Sequence, residues 1–288
     1  MAQSAEGGRV RGTLAAESSS AIFAANRAVG RITLSVKPAA GVTRRARVHE
    51  QGSLRVRFPG SPARELEAVV VNTAGGMAGG DRFGLDIAVE PGARLVVTTA
   101  AAEKIYRTLA PDTTVDVKLA VGPGGQLSWL PQETIFFDGA RLRRTIDVEL
   151  SGDARLLLAE AVVFGRSGMG ELVENGALFD RWRVRRNGRL AYAETVRLDG
   201  AIASKLAAPA AANGGRAVAT VLAVPGDDAA VAAVRALGDR FRGEVGASAW
   251  NGLAAVRMVA RDGAALRHDL VAVLTVLRGT ALPRLWLN

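Results

Sequence analysis

Turn signals interrupt this chain so often that no apolar stretch has room to be much more than a strand. Arg31–Lys37, Val42–Val48 and Leu54–Phe58 alternate partially and are separated by Gly or Pro. Leu66–Thr73, Phe83–Val89, Arg94–Ala100, Thr113–Val121 and Gln126–Leu130 follow, with AGGMAGGD, PGA and GPGG turns among them. Arg141–Leu150, Ala154–Phe164, Phe179–Arg186, Arg189–Leu198 and Arg216–Val224 continue the pattern. Strands at intervals of roughly 8–12 residues predict a sandwich, a barrel or a β-solenoid-like body. No repeat of fixed period is visible, so a regular solenoid is not supported. Ala154–Phe164 is apolar on both parities, as a strand covered on both faces must be. The expected class is mainly β, with stacked sheets in a β-helix- or sandwich-like body and two C-terminal α-helices. The first helix is expected after Asp227, with Val231, Val234, Leu237 and Phe241 at helical spacing. The second opens near Asp262 and carries a Leu266, Leu270, Leu274, Leu277 stripe. Residues 1–25 read as a loose Ala/Ser/Gly tail, and residues 26–288 as one domain.

Composition excludes several chemistries. The 288 residues include no cysteine, so disulfides, thiolate metal sites and cysteine nucleophiles are ruled out. Two histidines, His49 and His268, cannot build an imidazole cage within one chain. The net charge of +9 comes mostly from arginine, since only four of 37 basic residues are lysine. It reads as compositional bias, with an anionic partner as the other reading. The basic residues are scattered and not interleaved with aromatics, which argues against a nucleic-acid partner. No apolar run approaches the ~18 residues of a membrane span, and no signal-peptide pattern opens the chain. A cytoplasmic protein is expected.

Candidate chemistry is sparse. The Ala74–Asp81 glycine loop follows a strand but has Asp81 where a phosphate loop needs lysine, so it reads as a tight turn with close backbone approach. Ser167 in GRSGMG lacks the Gly-x-Ser-x-Gly spacing because Met169 stands at the last glycine position. His268 reads as a helix-surface residue. The carboxylates are more informative. Glu133 shares strand parity with Trp129, Ile135 and Phe137; Glu160 with Leu156, Leu158, Val162 and Phe164; Glu194 with Leu190, Tyr192, Val196 and Leu198. Asp138-Gly139 reads as the turn of a hairpin whose returning strand is Arg141–Leu150. An acid on an apolar face needs a partner or a purpose. In one reading each glutamate pairs with a buried arginine, Arg141, Arg166 and Arg197 being available. In the other the glutamates form a polar path or weak cation site.

Five blocks taken together resemble one family. VNTAGGMAGGD, VVTTAAAEKIYR, WLPQETIFFDGARLRR, DARLLLAEAVVFGRSGMGE and LAYAETVRLDG are similar, in order, to the urease accessory protein UreD, also called UreH. GRITLSV near residue 30 and the terminal LPRLW resemble the family's edges. FPGSPARE, at residues 58–65, departs from the family's aromatic-Pro-Glu stretch. The resemblance implies a predominantly β body of stacked sheets with two helices. It implies a non-enzymatic maturation factor that binds apo-urease and the helical UreF, and through UreF the GTPase UreG, to deliver nickel to urease. No tightly bound cofactor is expected, only transient nickel, because carboxylates hold nickel more loosely than imidazole or thiolate. Glu133, Asp138, Glu160 and Glu194 are the candidate lining of a nickel route. Leu270, Leu274, Leu277 and Trp286 are candidate contacts to UreF as well as core. The competing class is a hydrolase on a β scaffold using paired carboxylates.

Overall fold

The computed structural model describes residues 27–60, 64–109 and 111–287. The expected tail, residues 1–25, lies outside them. Alternation of apolar residues yields strands in chain order: β1 (Val29–Ala39), β2 (Val42–Gly52), β3 (Leu54–Arg57), β4 (Leu66–Asn72), β5 (Arg82–Val89) and β6 (Arg94–Thr99). Next come β7 (Glu103–Ile105), β8 (Thr113–Val121), β9 (Gln126–Trp129), β10 (Thr134–Phe136), β11 (Arg141–Leu150) and β12 (Arg155–Phe164). The last five are β13 (Asn175–Arg186), β14 (Arg189–Ala201), β15 (Ala217–Val224), β16 (Glu244–Trp250) and β17 (Leu253–Ala260). Three helices accompany them: α1 (Ile202–Ala207), α2 (Asp228–Arg235) and α3 (Gly263–Arg278).

The strands form two sheets. One runs β14-β13-β11-β8-β5-β1-β2, the other β16-β17-β15-β12-β9-β6-β4-β3, with β10 and β7 added beside β12. Between β4 and β13 the chain winds from one sheet to the other, and neighbours within each sheet are parallel. This is a solenoid path. Its coils enter the first sheet at Arg82, Thr113, Arg141 and Asn175, unequal steps that leave no fixed period in the sequence. Antiparallel pairs finish both ends, including β13–β14 across the expected Asn187-Gly188 turn. Both turn residues have positive φ, 51° and 75°, which Asn and Gly tolerate.

Two apolar layers result. Ile32, Leu85, Val117, Ile146 and Trp182 form one inner row across the first sheet and face the second. The outer face of the second sheet packs on α3, where Leu157, Ala159, Ala161 and Val163 meet Leu266, Leu270, Val273 and Leu274. β12 is therefore covered on both faces, as its sequence requires. The two expected helices start where predicted: Asp227 and Asp262 cap them by accepting from the Ala230 and Ala265 amides at 3.0 and 2.8 Å. The first is shorter than its apolar spacing suggests, ending at Arg235, before Leu237 and Phe241. α1 was not anticipated; six residues are too few to show a period.

The Asp138-Gly139 hairpin is a correction. The turn exists, with Gly139 at φ 72°, but it is a corner between sheets. β10 pairs with β12 and β7 in one sheet, whereas β11 pairs in parallel with β8 and β13 in the other. The parity expected for Glu133 is corrected too. Leu130–Glu133 interrupts the strand at Pro131, and the register resumes one step out of phase. Thr134 and Phe136 point inward, while Glu133, Ile135 and Phe137 are only half-buried.

Candidate functional site

Arg144 lies on the inward row of β11, among Leu142, Ile146 and Val148. Its register partner on β13 is Asp180, also inward, between Leu178 and Trp182. Glu160 comes from the opposite sheet, on β12 between Leu158 and Val162. Arg144, Glu160 and Asp180 meet in mid-core with 4, 6 and 7% of their surfaces exposed. Arg144 Nε donates to Asp180 Oδ1 at 3.1 Å, Nη2 to Asp180 Oδ2, and Nη1 to Glu160 Oε2. Two indoles complete the set: Trp129 Nε1 donates to Glu160 Oε1 at 2.8 Å and Trp182 Nε1 to Asp180 Oδ1 at 3.0 Å. All four carboxylate oxygens are thus hydrogen-bonded, as burial demands.

Two carboxylates face one guanidinium, so the fully ionised cluster carries one net negative charge. Burial pushes the Glu160 carboxyl above the usual carboxylate range. Arg144 pulls it down, Asp180 adds to the rise, and the Trp129 bond lowers it; the net direction is up. For Arg144 burial opposes the charge, but Asp180 and Glu160 outweigh burial and hold the guanidinium more firmly protonated than usual.

A second polar group adjoins this one. The Trp182 and Tyr192 rings lie 6.4 Å apart. Tyr192 donates to Glu194 Oε2, and Glu194 Oε1 accepts from Arg257 of β17. Burial, reinforced by Glu194, raises the Tyr192 hydroxyl above its ordinary value. The Arg257 side chain is 57% exposed, so this end reaches solvent. On the other side of Glu160 is a cavity of about 70 Å³. Arg144, Glu160, Trp129, Thr99, Gln132 and Glu103 contribute to its wall. Burial raises the Glu103 carboxyl, although Asn72 Nδ2 donates to it at 3.1 Å.

The four acids singled out in the sequence do not converge. Glu160 is in the core and Glu194 at the seam of the two sheets. Glu133 faces α3, 3.4 Å from Arg267 Nη1. Asp138 sits at the coil corner, accepting from the Asn175 amide at 3.0 Å. Paired glutamates are found, but the arginines differ from those expected: Arg141 bonds Asp112 and Arg166 bonds Glu171, both at 2.7 Å. Among the described residues no group of three or more His, Asp or Glu is arranged to hold a metal ion. Sequence reading missed Arg144 and Asp180, although both stand on apolar parities, in LRRTIDV and LFDRWRV.

The glycine loop is the tight turn expected. Asp81 is buried and accepts from the Ala28 and Ala78 amides at 2.8 and 2.7 Å. A Cβ at Gly76, whose φ is 151°, would collide with the Tyr106 ring. The last helix's stripe is also settled. Leu270, Leu274 and Trp286 are core residues, and Leu277 packs partly against them. Trp286 Nε1 donates to the Leu130 carbonyl at 3.0 Å, inside the molecule. These side chains are turned towards the second sheet, the core packing that was expected of the stripe beside contact with UreF. His268 is half-exposed on α3, as expected, 3.0 Å from the buried Asp269 carboxylate.

A two-sheet solenoid with a helical flank and a fully bonded charge cluster in its core is a predominantly β body of stacked sheets, as the sequence blocks implied, with three helices where they implied two. Residues 28–287 match the family model described as UreD urease accessory protein. A urease accessory protein UreD of Rhodopseudomonas palustris is 58% identical over 92% of this chain and 95% of its own length. One of Bradyrhizobium diazoefficiens is 55% identical over 93% of this chain and 97% of its own. The chain belongs to the UreD urease accessory protein family and has a role in urease maturation.

Proposed function

We propose that the chain is a non-enzymatic scaffold that binds apo-urease and, through UreF, the GTPase UreG, and helps pass nickel to the urease active site. The observation that carries this reading is the family match across residues 28–287. The interior supports it. Its buried polar groups include carboxylates, indoles and a guanidinium, and the sequence has no cysteine. Oxygen ligands hold nickel loosely, which suits passage better than storage. Glu160 beside the cavity and Glu194 at the exposed seam are the acids best placed to line such a path, with Asp138 and Glu133 at its outer margins. Among the described residues no helix is long and apolar enough to cross a membrane; a cytoplasmic setting is part of this proposal. The hydrolase alternative needs two carboxylates facing each other across an open cleft. Glu160 is instead closed into the core against Trp129 and Arg144.

The test is co-expression of urease and its maturation partners with Glu133→Gln, Asp138→Asn, Glu160→Gln and Glu194→Gln variants, reading urease nickel content. Reduced loading by the Glu160 and Glu194 variants, with the complex still co-purifying, is expected. Normal loading by all four would remove the carboxylate route, and failure of the wild-type chain to co-purify with the partners would remove the scaffold reading.

A further inference from the structure

The sequence holds four Asn-Gly pairs, at 175–176, 187–188, 213–214 and 251–252. Such a pair is prone to lose its side-chain amide, because glycine leaves its own nitrogen unhindered and the backbone free to turn. The folded backbone must rearrange before that nitrogen can reach the asparagine side-chain carbon. The bonds that hold each pair therefore set its rate. Three pairs are held. Asn175 opens β13, where its N–H donates to Asp138 Oδ1 at 3.0 Å and its carbonyl accepts from the Gly139 amide at 2.8 Å. Asn187 Oδ1 accepts from the Gly152 amide at 2.7 Å, and the Gly188 N–H donates to Glu149 Oε1 at 2.9 Å. The Gly214 N–H donates to the Leu206 carbonyl at 2.9 Å.

Asn251-Gly252 differs. It forms the two-residue turn between β16 and β17, closed by the Trp250–Leu253 pair, and both turn residues are exposed. Among the described residues neither the Asn251 side chain nor the Gly252 N–H has a hydrogen-bond partner. A cation also stands beside this turn. Arg186 Nη1 lies 3.7 Å from the point that a Cβ on Gly252 would occupy. Arg186 forms no ion pair among the described residues; its Nε and Nη2 donate to the Gly152 carbonyl at 3.3 and 3.2 Å. A guanidinium near the Gly252 amide favours the nitrogen anion that attacks, as a positive charge favours any deprotonated form. The 187–188 and 251–252 turns thus meet around Arg186, one locked by its neighbours and the other not.

We propose that Asn251 is a site of self-modification, where the folded chain converts this asparagine to aspartate and isoaspartate ahead of its other three Asn-Gly pairs. The Gly252 nitrogen gives its proton to hydroxide and attacks Asn251 Cγ. The new C–N bond closes a succinimide ring, and the bond from Cγ to the side-chain nitrogen breaks. That nitrogen leaves as ammonia with a proton from water. Water then adds to one of the two ring carbonyls and opens the ring. Net, water is consumed and ammonia released, with no change of oxidation state. The new carboxylate stands beside Arg186, and the iso form adds a methylene to the main chain next to Trp250, whose ring lies 6.1 Å from that of Tyr192. The inference is independent of the maturation reading. Its test is timed incubation of the purified full-length chain in mildly alkaline buffer, with peptide mass spectrometry following all four asparagines. Asn251 should convert about tenfold faster than Asn187, since hydrogen bonds of ordinary strength hold one turn and not the other. Glu149→Ala frees the Gly188 N–H and should speed Asn187 severalfold, leaving Asn251 unchanged. Arg186→Gln should slow Asn251 about threefold; no slowing overturns the part given to the guanidinium. In denaturant, where these bonds are gone, the rates at Asn251 and Asn187 should converge. Equal rates in the folded chain, faster conversion at another pair, no conversion at Asn251, or the same order persisting in denaturant overturns the assignment.

Discussion

Removing Arg144 should cost more stability than any other single polar change in the core. Arg144→Met keeps the apolar stem and deletes three charge-assisted hydrogen bonds, two to Asp180 and one to Glu160. Both carboxylates stay buried, and each keeps one indole donor, from Trp182 and Trp129. Breaking a buried ion pair by removing one partner costs ~3–5 kcal/mol, chiefly because the remaining charge has lost its compensation. Here two acids are left facing each other, so one takes up a proton to avoid like-charge repulsion and limits the loss. A total of about 4 kcal/mol is expected against a domain stability of roughly 5–15 kcal/mol. Arg144→Met/Glu160→Gln/Asp180→Asn leaves polar groups but no charge, and should recover about half of that loss or more. Urea denaturation read by tryptophan fluorescence is well suited, since Trp129 and Trp182 touch the cluster. A single variant within ~1 kcal/mol of wild type, or a triple variant no better than the single, would refute the account of the cluster as a charge compensated mainly by Arg144.

Glu160 should also set part of the pH dependence. Its carboxyl is raised above the ordinary 4.5 in the folded chain, so the folded state holds this proton more tightly than the unfolded chain does. Stability from that proton is complete below about pH 4.5 and is lost as pH rises through the raised value. Glu160→Gln should flatten this segment of a stability-versus-pH curve, and an unchanged curve would count against the shift. Asp269, buried on α3, accepts from the Arg242 amide at 2.9 and 3.1 Å and the Gly243 amide at 2.8 Å. Asp269→Ala should cost about 2–3 kcal/mol by urea midpoint, because those amides lose a charged acceptor.

Much of this was legible from parity. The strands, the Asn187-Gly188 hairpin, both helix caps and the double burial of β12 follow from local patterns that a reader can count. Glu160 was legible for the same reason: a strand has only two faces, and both neighbours of Glu160 on its face are large and apolar. Glu133 failed because parity is continuous only while the strand is. Pro131 lacks an amide hydrogen and breaks the ladder, so every residue after it must be counted afresh. Asp138-Gly139 failed because a turn dipeptide specifies a change of direction and not the sheet that receives the next strand. Arg144 carried the same signal as Glu160 but sits in a run of arginines, RLRR, where three of its type make one look like the rest. That Arg144 meets Asp180 and Glu160 depends on registers across two sheets, which no local pattern contains.

The size of the core cavity bears directly on how a cation could pass. A water molecule's share of volume is about 30 Å³, so a cavity of about 70 Å³ beside Glu160 has room for roughly two. A divalent ion with an octahedral shell of about six waters needs over twice the volume available. In the proposed passage the ion therefore sheds most of its shell, and oxygen ligands replace what is lost. Thr99, Gln132, Glu103 and Glu160 lie on the cavity wall, but most of that wall is apolar, with Leu54, Val70, Phe83 and Leu142 among its residues. Arg144 and Trp129 each bond one oxygen of Glu160, which leaves a lone pair on each oxygen. In the proposed passage Arg144 loosens its hold on Glu160 as the ion binds and keeps Asp180, so that the released charge is never left alone in the core. The net negative charge of the cluster favours that exchange, since a cation entering beside Glu160 neutralises what one guanidinium cannot.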